Sequence, residues 1–304
     1  MKEKNRFIRQ LSRDRYLILL ALPAFVLIIL FCYLPMGGLV MAFQDYSVRK
    51  GFLGSTFVGL KHFFDFFESI YAGRVIRNTV LLSLLNLLVS FPIPILFALL
   101  LNELRFMPFK RVVQTVSYLP HFVSSVVVVG MMVTFFNPSF GLINVLRQSL
   151  GQNTIAFLSE PRWFRTLYVG SEVWQHFGWN SIIYIAAIAG IPQDMYEAAE
   201  IDGAGRFKQA LYVTLPSLMP TILTLFILNC GWLFSIGYEK VILMYSPSNY
   251  EVADIISSYV YRRGILNAEF SFSTAIGLFN SILNLVILLA VNGFSKRKSG
   301  IGVL

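Results

Sequence analysis

The sequence reads as an all-α integral membrane protein that crosses the bilayer six times. Of its 304 residues, 56% are apolar and only 13% charged, about half the charged share of an ordinary soluble domain. Mean hydropathy is +0.65. The apolar residues are gathered into runs long enough to cross hydrocarbon as helices, which takes about 20 residues each. The basic residues fall at the ends of those runs, most densely at the two ends of the chain.

The first run, Tyr16–Phe43, is uncharged and contains Pro23 and Pro35. It follows a basic leader, but it is too long for a cleaved signal segment and no small-residue cleavage site follows it, so it reads as a retained helix. The next runs are Ile76–Leu101, Tyr118–Phe136, Leu167–Ile191, Leu218–Ile236 and Phe272–Phe294. Six spans put both termini on one side. Lys2, Lys4, Arg6, Arg9, Arg13 and Arg15 in the leader and Lys296, Arg297 and Lys298 in the tail make that side the cytoplasm, because short basic flanks are retained there. The organisation expected is a basic segment over residues 1–15, a transmembrane unit over 16–294 and a tail over 295–304. Loops 102–117 and 192–217 are then cytoplasmic, and 44–75, 137–166 and 237–271 face outward.

A coat of so few charges excludes a soluble globule, and composition excludes a disordered chain. The net charge of +9 does not argue for nucleic acid, since anionic lipid headgroups account for cations at span ends. Cys32 and Cys230 lie inside apolar runs and read as small hydrophobes. No zinc-type HExxH or CxxC pattern and no phosphate-cradling Walker loop occurs in the sequence, so neither a metal nor a nucleotide site belongs to this chain.

Polar residues in a span must face protein or water. Glu172, Gln175, His176, Trp179 and Asn180 share one helix face by their spacing. That stripe fits a polar wall along a substrate path, or equally helix–helix hydrogen bonding with Trp174 and Trp179 as interfacial anchors. Thr79, Ser83, Asn86 and Ser90 in the second span read as a packing seam, as do Ser273, Gly277, Asn280, Ser281 and Asn284 in the sixth. Asn229, midway along the fifth, is costly to leave unpaired and is a pore candidate.

The most informative stretch is residues 191–216. Pro192 ends one membrane helix and can open the next. Met195–Ile201 makes a short helix with Asp194 able to cap its start. Gly203 and Gly205 let the backbone reverse, and Phe207–Val213 forms a second amphipathic turn or two before Pro216 re-enters the bilayer. On physics alone this is a compact helix–turn–helix at the membrane surface.

Its residues carry a resemblance. Glu197-Ala198-Ala199, then three residues, Gly203, nine residues and Val213-x-Leu215-Pro216 is similar to the EAA motif of ABC-importer permeases, with Val213 where the family pattern has Ile. Phe57-Val-Gly-Leu-Lys-His-Phe63 resembles that family's outer-loop segment, with His62 in place of Asn. Arg77-Asn78-Thr79, Leu119-Pro120 and Asn137-Pro-Ser-Phe-Gly-Leu-Ile-Asn144 resemble further segments of the carbohydrate-type permeases, and Tyr250-Glu-Val-Ala-Asp254 through Tyr259-Val-Tyr261 their LplB-like oligosaccharide branch.

The resemblance implies a type I ABC-importer permease fold in a bacterial cytoplasmic (inner) membrane. It also implies work with a second homologous permease, two cytoplasmic ATPases that bind ATP and magnesium, and an extracytoplasmic solute-binding protein. This chain would hold no cofactor and catalyse nothing itself. The expected ATPase contact is Glu197, Ala198, Ala199, Asp202, Gly203, Leu215 and Pro216, with Glu197 as ion-pair partner of an ATPase cation. Sugars present both C–H faces and hydroxyls, so Glu172, Trp174, Gln175, Trp179, Asn180, Asn229, Trp232 and Tyr238 are the expected lining of an oligosaccharide path. Arg49, Lys50, Arg74, Arg77, Arg262 and Arg263 fit attraction of uronates, or contacts with lipid and partners. An ion-coupled secondary transporter is the rival, but it calls for ionisable groups at mid-membrane, and only Glu172 and Arg77 lie in or near a span, both at an edge. An intramembrane hydrolase fits less well, since no nucleophile is set with His176 and Glu172.

Overall fold

The computed structural model describes residues 15–303; the leader cations Lys2, Lys4, Arg6, Arg9 and Arg13 lie outside them. Except for a two-residue β-ribbon, the regular structure is helical. Helix α1, Arg15–Phe43, is exposed over nearly its whole length. Its α-helical part ends at Ile28, widens into a π turn over Ile29–Tyr33 and tightens into a 3-10 helix over Leu34–Phe43. Pro35 explains the change, because it lacks an N–H and its ring would press on the carbonyl one turn earlier. Strands β1, Gln44–Asp45, and β2, Thr56–Phe57, pair antiparallel. They lead to α2, Lys61–Glu68, where His62 Nε2 lies 3.1 Å from the Gln44 carbonyl oxygen.

Helix α3, Ala72–Asn102, is broken at Phe91 by Pro92 and Pro94. The third apolar run, expected over Tyr118–Phe136, is divided between two helices. Helix α4, Met107–Tyr118, continues as a 3-10 turn to Phe122 and meets α5, Ser125–Phe135, at 101°. Pro120 removes a helical donor, and Ser124 starts a new helix by accepting a hydrogen bond from the Val127 N–H at 3.4 Å. Helix α6, Leu142–Ser149, follows.

Helix α7, Pro161–Ala189, is about 43 Å long at the usual rise and packs against both halves of α3, α4 and the helix after the loop. Its polar stripe of Glu172, Gln175, His176 and Asn180 lowers its hydropathy, and it falls outside the four helices long and apolar enough to cross a membrane on composition. After α8, Gln193–Ile201, the chain runs through α9, Arg206–Gly231, as one continuous helix past Pro216. A π turn at Ala210–Thr214 absorbs that proline. Helix α9 stops at Gly231, short of the expected Ile236. Helices α10, Tyr238–Met244, and α11, Ile256–Tyr261, precede α12, Phe270–Ser299.

The segment before α12 is fastened by polar contacts. Asp254, 1% exposed, accepts from Arg262 at 2.8 Å, Arg74 at 3.4 Å and the Ser258 hydroxyl at 2.9 Å. Burial opposes the Arg262 charge, but the hydrogen bond and charge of Asp254 prevail and hold the guanidinium above its ordinary value. Asn78 on α3 donates to the Asp254 and Glu251 carbonyls, and Thr79 accepts from the Ile256 N–H at 2.8 Å. The motif residues Asn78 and Thr79 are thus latches between α3 and α11.

Helices α4 and α7 touch backbone to backbone at Gly178, where an added Cβ would lie 2.1 Å from the Ser117 carbonyl oxygen. Gly178→Ala is therefore expected to destabilise the chain by about 1–3 kcal/mol through overpacking. Gly170→Ala on the same helix meets nothing within 4 Å and should be neutral or stabilise by up to about 1 kcal/mol. Unfolding midpoints of the two variants in one detergent compare them.

Candidate substrate path and coupling hairpin

The proline break in α3, the centre of α7 and the end of α9 surround a cavity of about 360 Å³. Its wall takes Ser83, Asn86 and Ser90 from α3, Glu172, His176 and Asn180 from α7, and Asn229 and Trp232 from α9 and the turn after it. Four of the expected lining residues therefore meet in one space: Glu172, Asn180, Asn229 and Trp232. The Asn229 amide donates to the Leu225 carbonyl at 2.8 Å, and Trp232 is 74% exposed.

The other four lie elsewhere. Trp174 lines an apolar groove with Met131, Met132 and Phe135 on the far side of α7. Gln175 is buried; its amide donates to the Val123 carbonyl at 2.6 Å, bridging the break between α4 and α5. Trp179 stacks on His121, with ring centroids 4.4 Å apart and planes 3° apart. Tyr238 stacks on Tyr261 beside a separate groove. The 100° step that puts Gln175 and Trp179 on one stripe with Glu172 and Asn180 does not say where the stripe is divided between neighbouring helices.

Three features of the site were not anticipated. Asn86 and Ser90, read as packing, line the cavity, while Thr79 packs and Ser83 borders the cavity though only 2% exposed. Lys240 is 3% exposed; its Nζ donates to Glu172 and, at 2.9 Å, to Gln175 Oε1. Its partners lie on a helix distant in sequence, so no spacing rule could pair them. The sixth-span asparagines act as clamps: Asn280 donates to the Phe234 carbonyl, and Asn284 accepts from the Phe234 N–H and donates to Ser235. They hold the turn that carries Trp232 against α12.

The hairpin at 191–216 is built as a rigid unit. Helix α8 starts at Gln193, and Asp194 sits inside its first turn with its carboxylate accepting from the Met195 N–H, rather than capping from outside. Its end is a Schellman turn: the Gly203 N–H reaches the Glu200 carbonyl at 3.0 Å and the Ala204 N–H the Ala199 carbonyl at 2.9 Å. Gly203 has φ +76°, the left-handed region that glycine enters without steric cost, and Asp202 is the cap residue before it. The Tyr196 hydroxyl lies 3.0 Å from Thr214 Oγ1, tying α8 to the π turn of α9 just before Leu215 and Pro216. Glu197 and Ala198 are exposed and Ala199 half-buried. Ile201 and Phe207 are 86% and 81% exposed, so apolar surface stands beside the acidic side chain.

With that geometry in view, comparison with known proteins places the chain. Residues 90–300 match the family described as binding-protein-dependent transport system inner membrane component. Protein LplB of Bacillus subtilis (strain 168) is 44% identical, the match covering 94% of this chain and 90% of that protein. The polygalacturonan/rhamnogalacturonan transport system permease protein YteP of the same organism is 42% identical, over 97% and 92%. A chain of the crystal structure of a bacterial alginate ABC transporter, in complex with an alginate pentasaccharide-bound periplasmic protein, superposes with a TM-score of 0.90 at 41% identity, covering 98% of this chain and 100% of that one. The fold and hairpin define a membrane-embedded permease subunit. The chain belongs to the binding-protein-dependent transport family of ABC-importer permeases, in its carbohydrate-type, LplB-like and YteP-like branch, and is a multi-pass, non-catalytic inner-membrane component.

Gly203→Val forces a β-branched residue into the left-handed region, a cost of about 1–2 kcal/mol, and should uncouple the hairpin. In the assembled complex the expected result is normal subunit recovery with reduced substrate-stimulated ATP hydrolysis. Gly205→Ala, at a glycine with negative φ and open space around it, should leave hydrolysis near the parent level.

Proposed function

We propose that this chain is one of two permease subunits of an ATP-driven importer of oligosaccharides, with acidic ones as its cargo class. A second, homologous permease closes the cavity between α3, α7 and α9 into a path. Two ATPases supply the force from the cytoplasm, and an extracytoplasmic binding protein delivers the sugar. The alginate transporter and the polygalacturonan/rhamnogalacturonan permease, each alike over nearly the whole chain, support both the assembly and an acidic cargo. The hydroxyl and amide side chains of the cavity wall fit a hydroxyl-rich cargo.

Six crossings fit this reading: α1, α3, the bent pair α4 and α5, α7, α9 and α12. Both termini are then cytoplasmic, and so is the hairpin at 191–216. Helix α8 is the lever, seated in the ATPases through Glu197, Ala198, Ala199 and the apolar side chains beside them. Its tie to the π turn of α9 passes a push to the helix that carries Asn229 and Trp232. The observation that carries the proposal is that hinge: a rigid short helix fastened at Tyr196–Thr214 to a widened turn, which is where a helix bends most readily.

Removing a charge from a desolvated interface pair costs about 2–5 kcal/mol. Glu197→Lys should therefore assemble into membranes but lose most uptake and most transport-coupled ATP hydrolysis. Uptake of uronate oligosaccharides by proteoliposomes holding the whole complex tests it. Parent-level uptake and hydrolysis in the variant would overturn the role of α8.

A further inference from the structure

The cavity wall holds one carboxylate, Glu172, and no Lys or Arg among its described lining residues. Lys240 stands behind that wall. Its side chain is 3% exposed and that of Glu172 21%, so the negative member of the pair alone reaches the cavity. Lys240 Nζ donates to Glu172 Oε1 and to Gln175 Oε1, and lies 5.9 Å from the centre of the Tyr168 ring. The Gln175 amide is itself anchored on the Val123 carbonyl. The second Glu172 oxygen is 3.8 Å from His176 Nε2. A lysine buried this deeply is costly unless paired and hydrogen-bonded, and all its partners lie on the wall side.

We propose that Lys240 sets the charge selectivity of this path by neutralising Glu172 from behind. A fixed cation in the wall would hold a polyanion, and a fixed anion would turn it away. With Glu172 compensated, a uronate meets the amides of Asn86, Asn180 and Asn229 and can move on. Lys240 acts through Glu172 and is a positioning residue, since it does not itself reach the cavity. The inference rests on the acidic-oligosaccharide reading above.

The experiment uses the whole complex in proteoliposomes, with a uronate trisaccharide and its methyl ester as cargoes. Each variant's acid-to-ester uptake ratio is divided by that of the parent, so that the preference of the binding protein cancels. Lys240→Met should lower the ratio about tenfold, which corresponds to about 1.4 kcal/mol. Lys240→Met combined with Glu172→Gln should restore it, and Lys240→Arg should keep it. An unchanged ratio in Lys240→Met, an equal loss of both cargoes, or a deficit that persists in the double variant would each overturn the inference. If Lys240→Met fails to assemble, the double variant decides: a parental ratio supports the inference and a low ratio refutes it. A parent complex that carries the ester but not the acid would sink the cargo reading, and this inference with it.

Discussion

Hydrocarbon offers no hydrogen bonds, so every polar group within it must be paired inside the protein or face water. That constraint arranges this molecule. Some span hydroxyls bond back to their own helix, as Thr134 does to Gly130, Ser217 to Val213 and Ser281 to Gly277. Longer side chains bridge elements instead: Gln175 closes the break between α4 and α5, Asn284 clamps the turn after α9, and Asn78 latches α3 to the segment before α11. The polar groups left over converge on one cavity. Lys240, deeply buried, is satisfied by a carboxylate and an amide of α7, so even the charges of this region follow the same rule.

The prolines supply the second half of the design. A proline removes a backbone donor and crowds the preceding turn; α-helix absorbs Pro23 and Pro220, but elsewhere the helix changes type or breaks. Pro35 and Pro216 each follow a π turn, while Pro92 and Pro94 break α3 beside the cavity. Of these irregularities, only the break in α3 borders the cavity. In the hairpin at 191–216, the Tyr196 hydroxyl contact ties α8 to the π turn of α9.

The sequence made the class, the apolar spans and the hairpin legible, because hydropathy, glycine and proline act locally. The EAA spacing located α8 and its turn to within a residue or two, and Gly203 has the backbone that its place in the motif requires. The wall of the cavity was only half legible. Periodicity placed Glu172 and Asn180 on one face of α7 but could not tell that Gln175 and Trp179, on the same stripe, are claimed by Val123 and His121. Nor could it separate Asn86 and Ser90 from Thr79, since weakly polar residues serve packing and solvation alike. Lys240 left no pattern, because its partners are set by tertiary packing. The bend in the third span, which the apolar run did not show, has a local cause: Pro120 followed by a serine able to cap.

The central claim is that the cavity between α3, α7 and α9 is an aqueous path whose opening changes with the nucleotide state of partner ATPases. Asn180→Cys, with Cys32 and Cys230 both replaced by alanine, places one thiol on its wall. Labelling of this variant in the assembled complex by a membrane-impermeant thiol reagent, applied from either side with and without a non-hydrolysable ATP analogue, tests the claim directly. The account predicts labelling from the cytoplasmic side without nucleotide and from the outer side with it; a thiol that reacts from neither side in either state would contradict it.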